Sequence, residues 1–139
     1  DKYELIEWII KSELLEPIKP LLNAGMIFEA IVLMLNNISA NSVFYKKALK
    51  LEGAVTFNQI AMKCVYEMFM NIINEKSTGK KSKYRWLTPE VISTYYAQSL
   101  CFITEGWIAQ GMDDIEPKEM AEAYMYLITR SMDDILSEL

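Results

Sequence analysis

Hydrophobic residues recur every three or four positions along most of the chain, a spacing that predicts amphipathic helices. The pattern is clearest in residues 88–112, where Thr88 can cap a helix and Pro89 suits its first position. Large hydrophobic residues form one stripe along this helix, at Ile92, Tyr96, Leu100, Ile103 and Trp107. Small residues follow a neighbouring strip, at Ser99, Gly106 and Ala109. A helix with two such faces is expected to pack against two different neighbours.

Prolines, glycines and polar clusters divide the remaining pattern into further helices. The first helix starts near Asp1, and Pro17 predicts a kink or a stop at Glu16 because proline removes a backbone hydrogen bond. Residues 26–38 are apolar on almost all sides, which favours a buried helix over a buried strand at this length. A short helix, a longer helix and a basic loop are predicted at residues 43–53, 55–74 and 75–87. The last helix is predicted to run from Pro117 to the C-terminus with two apolar stripes, which again implies two packing partners.

These elements predict an all-α fold in a single domain. A length of 139 residues suits one domain with a hydrophobic core of its own, and a hydrophobic fraction of 52% excludes intrinsic disorder. We find no alternating strand pattern and no internal repeat. No run of 18 apolar residues is present, so no membrane span is expected.

The composition argues against most catalytic chemistry. The chain has no histidine, which removes the usual general base, the serine and cysteine triads that use it, and histidine metal sites. Cys64 and Cys101 have no metal-ligand spacing and are interpreted as buried thiols in a reducing compartment. Glu67 and Glu105 are the acids that lie well inside helical apolar stretches, so only a pairing of these two would suggest an enzyme. We expect no enzymatic activity, no cofactor and no metal.

Charge is unevenly distributed along the chain, whose net charge is −5. Residues 105–139 contain nine acids and two bases, and this acidic third is a poor surface for nucleic acid. Lysine and arginine residues cluster instead in the loop at 75–87, around Ser77, Thr78 and Gly79. This loop could be a phosphate site, but it lacks the glycine spacing and the preceding strand of a P-loop, which favours a solvated connector.

Three motifs occur in an order that resembles a known family. The first is Asp1 to Ile6, at the N-terminus. The second consists of Ile38, Asn41, Phe44, Tyr45, Ala48 and Leu49. The third consists of Trp107, Ile108, Gly111 and Met112, followed by Pro117, Glu119, Met120 and Ala121. Together they resemble the C-terminal ligand-sensing and dimerisation domain of TetR/AcrR-type bacterial transcriptional regulators, in the subgroup that includes regulators of dihydroxyacetone kinase genes.

The resemblance implies an architecture and a set of partners. It implies a bundle of about six helices, with the last two pairing with their mates across a two-fold axis as a four-helix dimer interface. It implies a cytoplasmic homodimer that binds a small-molecule effector. DNA would be bound only by an N-terminal helix-turn-helix domain of the parent protein, which this chain lacks. The alternative is a helical domain without a ligand that only dimerises or binds another protein.

Candidate site residues follow from the resemblance and from side-chain type. Methionine and aromatic residues at helical spacing are more often core residues, so the pocket assignment competes with plain packing. The ligand-binding candidates are Met34, Tyr66, Met70, Tyr95, Tyr96, Cys101 and Phe102. The dimer-interface candidates are Ser99, Gly106, Trp107, Tyr124, Leu127 and Ser131. Pro17 and Pro20 are the feature best suited to a bend of the first helix between two states, although Pro17 as a plain kink without a switching role is the more common case.

Overall fold

The computed structural model describes residues 1–139 and is entirely helical, which confirms the predicted all-α class. Its elements are α1 (Lys2–Ile9), a π-helical segment (Ile10–Leu15, here the π segment), α2 (Glu16–Asn23), α3 (Ile27–Ala40), α4 (Ser42–Leu49), α5 (Phe57–Lys76), α6 (Pro89–Ala109), α7 (Pro117–Thr129) and α8 (Met132–Glu138). The first three elements follow one another without a break. Seven helices separated by turns or loops therefore make up the bundle.

The hydrophobic core is one continuous cluster to which every helix except α8 contributes. Helix α3 is the most buried along its length, through Ala30, Ile31, Met34, Leu35 and Ile38, as its apolar sequence predicts. Helices α5 and α6 form the most extensive pair, and α7 covers α3. No single helix is long and apolar enough to cross a membrane; only α3 and α4 taken together, bent by 90° between them, match by length and composition.

Helix boundaries follow local capping chemistry. Thr88 caps α6, because its Oγ1 accepts a hydrogen bond from the Val91 backbone N–H at 3.3 Å. Thr56 and Gln59 form a reciprocal capping box at the start of α5. Helix α2 ends at Asn23, and Gly25, two residues later, has a φ of 76°, a left-handed conformation that suits glycine. These are the boundaries that the residue types predict most directly.

Of the kink or stop that Pro17 predicts at Glu16, the stop does not occur, and the helical backbone is irregular there instead. The first helix continues past Pro17 into α2, and the six residues before Glu16 take up π-helical geometry. The Glu16 N–H donates to the Lys11 carbonyl, five residues back. Pro17 has no N–H to offer the Glu13 carbonyl, and the Asn37 side-chain amide donates to that carbonyl instead, at 3.1 Å. A hydrogen bond from α3 therefore replaces the one that proline removes.

The predicted last helix is divided into α7 and α8, which corrects the prediction of one continuous helix. Arg130 is extended, with φ −111° and ψ 149°, and Ser131 begins α8 by accepting a hydrogen bond from the Asp134 N–H at 3.1 Å. Ser131 followed by two acids is a helix-start signal. No glycine or proline marks the break, which is why the apolar spacing alone suggested continuity.

The turn between α6 and α7 is held within one chain by Trp107. Its side chain is only 2% exposed, and the indole Nε1 donates to the Ile115 carbonyl at 2.8 Å. Gly111 and Met112 both have positive φ, at 95° and 66°. A buried indole that needs a hydrogen-bond partner thus fixes how α7 leaves α6.

Candidate effector cavity and outer face

A small cavity lies inside the bundle between the π segment, α3, α5 and α6. Its volume is about 40 Å³, and eleven of its thirteen lining residues are hydrophobic. The lining residues are Ile10, Leu14, Leu15, Met34, Ile38, Phe57, Ala61, Val65, Leu100, Cys101, Thr104, Glu105 and Ile108. The π segment therefore supplies one wall of the cavity directly.

Thr104 introduces an unpaired hydroxyl into this hydrocarbon lining. Its Oγ1 is shielded from solvent and has no hydrogen-bond partner in the structure. Thr94, Thr129 and Ser12, which also lie within helices, each donate to the carbonyl four residues earlier. An unpaired buried hydroxyl costs about 1–3 kcal/mol of stability. Thr104 is thus a polar group beside the cavity that is free to bind something else.

Glu105 is the one ionisable carboxylate of the cavity lining. Its carboxylate accepts a hydrogen bond of 2.6 Å from the Asn58 side-chain amide, on α5. Burial raises the pKa of Glu105 above its ordinary value, and the bond from Asn58 only partly opposes that effect. The charged form of Glu105 is therefore less favoured in the folded chain than in the unfolded chain.

The predicted ligand residues fall into three groups in the structure. Met34 and Cys101 line the cavity. Tyr66 and Met70 are half-buried on α5 but do not line it. The other three lie on α6 outside the cavity: Tyr95 and Phe102 are exposed at 62% and 77%, and Tyr96, at 39%, lies beside Phe69 of α5. The structure therefore does not bring the seven residues together.

Both cysteine thiols are buried and stay protonated at neutral pH. Burial raises the pKa of Cys64 to about 11 and that of Cys101 to about 12. The nearby Glu105 carboxylate adds to the effect at Cys101. Because the thiolate is the reactive form of cysteine, neither residue is suited to nucleophilic chemistry. Cys101 contributes to the cavity as a small apolar surface.

A second feature is an exposed apolar face on α6 and α7, here called the outer face. On α6 it follows Tyr95, Phe102, Gly106 and Ala109, and on α7 it includes Leu127. A wide groove at the start of α6, lined by Trp86, Tyr95 and Tyr96 among others, continues it. Large apolar side chains that remain exposed on a single chain are candidates for an interaction surface.

The predicted interface residues divide between this face and the core. Gly106, Leu127 and Ser131 are exposed, and the Ser131 hydroxyl is occupied as the cap of α8. Trp107 and Tyr124 are buried within the single chain, at 2% and 4% exposure, so their side chains offer no surface to a second copy. Ser99 is half-buried, and its Oγ and the Tyr124 hydroxyl share a hydrogen bond of 2.8 Å.

The remaining charged candidates have ordinary structural roles. Glu67 pairs with Lys11 at 3.3 Å, whereas Glu105 binds Asn58, so these two acids bind different partners. The basic side chains of residues 80–85 are exposed and form no ion pairs, which suits a solvated connector between α5 and α6. No group of three or more His, Cys, Asp or Glu side chains is arranged to hold a metal.

Sequence reasoning missed the polar groups that matter most at the cavity. Thr104 and Asn58 have no unusual local spacing, and only the packing of α5 against α6 brings Asn58 to Glu105. Phe102 is predicted in the pocket as an interior-facing residue of α6, but in the structure it is 77% exposed. The helical periodicity itself indicates an exposed position for Phe102, because Tyr95, Phe102 and Gly106 fall on one side of α6, away from Leu100 and Trp107.

The sequence comparison agrees with this architecture. Residues 26–130 match a family described as the C-terminal region of transcriptional regulators, TetR_C_8. The chain belongs to this family. The matched span of this TetR_C_8 domain runs from just before α3 to just after α7, so it includes the α3, α5 and α6 walls of the cavity, while the π segment precedes it. No curated protein and no solved structure matches the chain.

Replacing Glu105 with glutamine should change how the stability of this TetR_C_8 domain depends on pH. The folded-state pKa of Glu105 is raised, so the folded chain binds more protons than the unfolded chain as pH rises above about 4.5. The free energy of unfolding of the natural chain should therefore fall, relative to Glu105→Gln, between pH 4 and pH 7. Urea unfolding at several pH values measures this difference.

Glu122→Gln is the matched control, because Glu122 is exposed and forms no ion pair. A difference between the natural chain and Glu105→Gln that stays constant with pH would contradict the assignment of Glu105 as a partly desolvated carboxyl.

Proposed function

We propose that the chain is the effector-binding and dimerisation domain of a cytoplasmic, bacterial TetR-like transcriptional regulator. The observation that carries the proposal is the interior cavity with the π segment as one wall. In the parent protein, a DNA-binding domain would be joined to α1. The TetR_C_8 match supports the regulatory role. The motifs at residues 38–49 and 107–121 support the narrower subgroup that includes regulators of dihydroxyacetone kinase genes.

The size of the cavity suggests how an effector would act. A dry cavity that holds benzene has about 150 Å³, whereas this one has about 40 Å³. A ligand larger than a few atoms must therefore displace a wall. Met34 can change rotamer, but the packed helices α5 and α6 resist movement. The π segment is the wall with the rarest backbone geometry, and π-helical turns are frequent at functional sites.

Displacement of the π segment would be transmitted to α1 because the two are one continuous helix. The chain then exists in two states, one with the small cavity and one with an expanded cavity and a different orientation of α1. The ligand binds the expanded state and increases its population. In a dimer, a change in the orientation of both α1 helices would alter the distance between the two DNA-binding domains joined to them. In this mechanism the first helix, whose continuation contains Pro17 and Pro20, is the part that switches between two states.

The outer face supports self-association as the second part of the function. Phe102 and Leu127 are 77% and 48% exposed, although both are large and apolar. Gly106 has open space where a side chain would stand, so a partner helix can approach closely there. The alternative function, a dimerisation module without a ligand, rests on this face alone and makes no use of the cavity.

Binding of a small apolar molecule in the cavity should raise the melting temperature. A ligand at ten times its Kd stabilises the folded state by about 1.4 kcal/mol, or roughly 4 °C for a domain of this size. Ala61→Val, which fills the cavity with two methyl groups, should reduce this shift, whereas Ala40→Val on the exposed end of α3 should not. Thermal unfolding against a panel of small apolar metabolites provides the measurement.

If no compound in a broad panel raises the melting temperature, the sensor function is excluded and the alternative of a module that only dimerises is favoured.

Phe102→Asp should convert a dimer into a monomer. Burying a carboxylate at an apolar two-fold contact without a partner should weaken dimerisation by at least about 100-fold, roughly 2.7 kcal/mol. Light scattering at micromolar concentration measures the mass. Leu127→Asp should act in the same direction, and Leu5→Asp, at a similarly exposed leucine on α1 (56% against 48%), serves as the matched control. A natural chain that is already monomeric under these conditions would rule out the outer face as a dimer interface.

A further inference from the structure

The residues that line the cavity indicate which class of molecule it can bind. Its walls are hydrocarbon except at Thr104 and Glu105. The Glu105 carboxylate is already hydrogen-bonded to Asn58, whereas the Thr104 hydroxyl is shielded from solvent and unpaired. Thr104 is therefore the polar group of the lining that a ligand can satisfy without breaking an existing hydrogen bond.

The same lining excludes several classes of ligand. An anion would meet the acidic Glu105 and no basic side chain, because no lysine or arginine lines the cavity. A doubly charged or strongly polar molecule would lose its hydration against Ile10, Leu14 and Val65 without replacement. What remains is a molecule that is mostly hydrocarbon and needs one hydrogen bond.

We propose that the cavity binds a small uncharged molecule, mainly hydrocarbon, whose single oxygen atom forms a hydrogen bond with the Thr104 hydroxyl. This inference rests on the proposed sensor function and names the chemical class of its ligand. A hydroxyl can donate and accept, so an alcohol, a phenol or a ketone satisfies it equally well. A site built around a hydrogen-bonding partner also rejects the analogue that lacks the oxygen.

Phenol and toluene test this inference because they have nearly the same shape and differ by a hydroxyl against a methyl group. Their affinities are measured by NMR titration on the intact chain, with the methyl resonance of Met34 reporting occupancy of the cavity itself. In Thr104→Val, which keeps the shape and removes the hydroxyl, the phenol-to-toluene affinity ratio should fall on the order of tenfold. Thr94→Val should leave the ratio unchanged, because the Thr94 hydroxyl is occupied by the Glu90 carbonyl.

A second variant, Thr104→Ser, separates loss of the hydroxyl from any effect of the substitution on folding. Thr104→Ser retains the hydroxyl and should retain the preference for phenol. Thr104→Val itself should unfold at the same temperature as the natural chain or higher, because it removes an unpaired buried hydroxyl.

The possible outcomes separate the two proposals. An equal ratio in the natural chain and in Thr104→Val overturns the role of Thr104 while leaving the cavity as a binding site. Tighter binding of benzylamine than of phenol overturns the uncharged class and points to Glu105 as the anchor. If neither phenol nor toluene shifts the Met34 resonance, the proposed ligand class is overturned, whereas the sensor function is decided separately by the metabolite panel.

Discussion

The hydrogen bond between the Asn37 side chain and the Glu13 carbonyl holds the functional part of this bundle in place. Pro17 leaves that carbonyl without its helical partner, and Asn37 on α3 occupies it at 3.1 Å. The Glu13 carboxylate reinforces the link by accepting longer contacts of 3.4 Å from Asn41 and from the Tyr45 hydroxyl. Burial and the Glu13 charge both raise the pKa of Tyr45, so its hydroxyl remains a donor. The π segment is thereby attached to α3 and α4.

The other side of the first helix is attached to α5 by charge. Lys63 pairs with Glu7 at 2.9 Å, and Lys11 bridges Glu7 and Glu67 at 3.3 Å each. These groups are partly exposed, so the pairs set orientation more than they add stability. The first helix is thus held by hydrogen bonds to the Glu13 carbonyl and carboxylate on one side and by screened ion pairs on the other. In the proposed mechanism, this wall moves when the cavity is occupied.

Local chemistry predicted much of the fold, whereas the site depended on tertiary contacts. Thr88 and Pro89 identify the start of α6 without reference to any other element. The continuation through Pro17 could not be predicted, because its replacement hydrogen bond comes from Asn37, on another helix. Trp107 looked suited to an interface, but its indole binds the Ile115 carbonyl in the following turn. The periodicity of α6 showed two faces and could not say which one α5 would cover.

Helix α6 joins the two proposed activities, because it carries the cavity residue Cys101 next to the outer-face residue Phe102. In the proposed mechanism, occupancy of the cavity moves α1 within a dimer. This movement is tested with a Leu5→Cys variant in which Cys64 and Cys101 are replaced with alanine. A spin label is attached at position 5 of each subunit, and the distance between the two labels is measured. Adding a ligand that shifts the Met34 resonance should change the inter-label distance distribution. An unchanged distribution with the cavity demonstrably occupied would contradict the account.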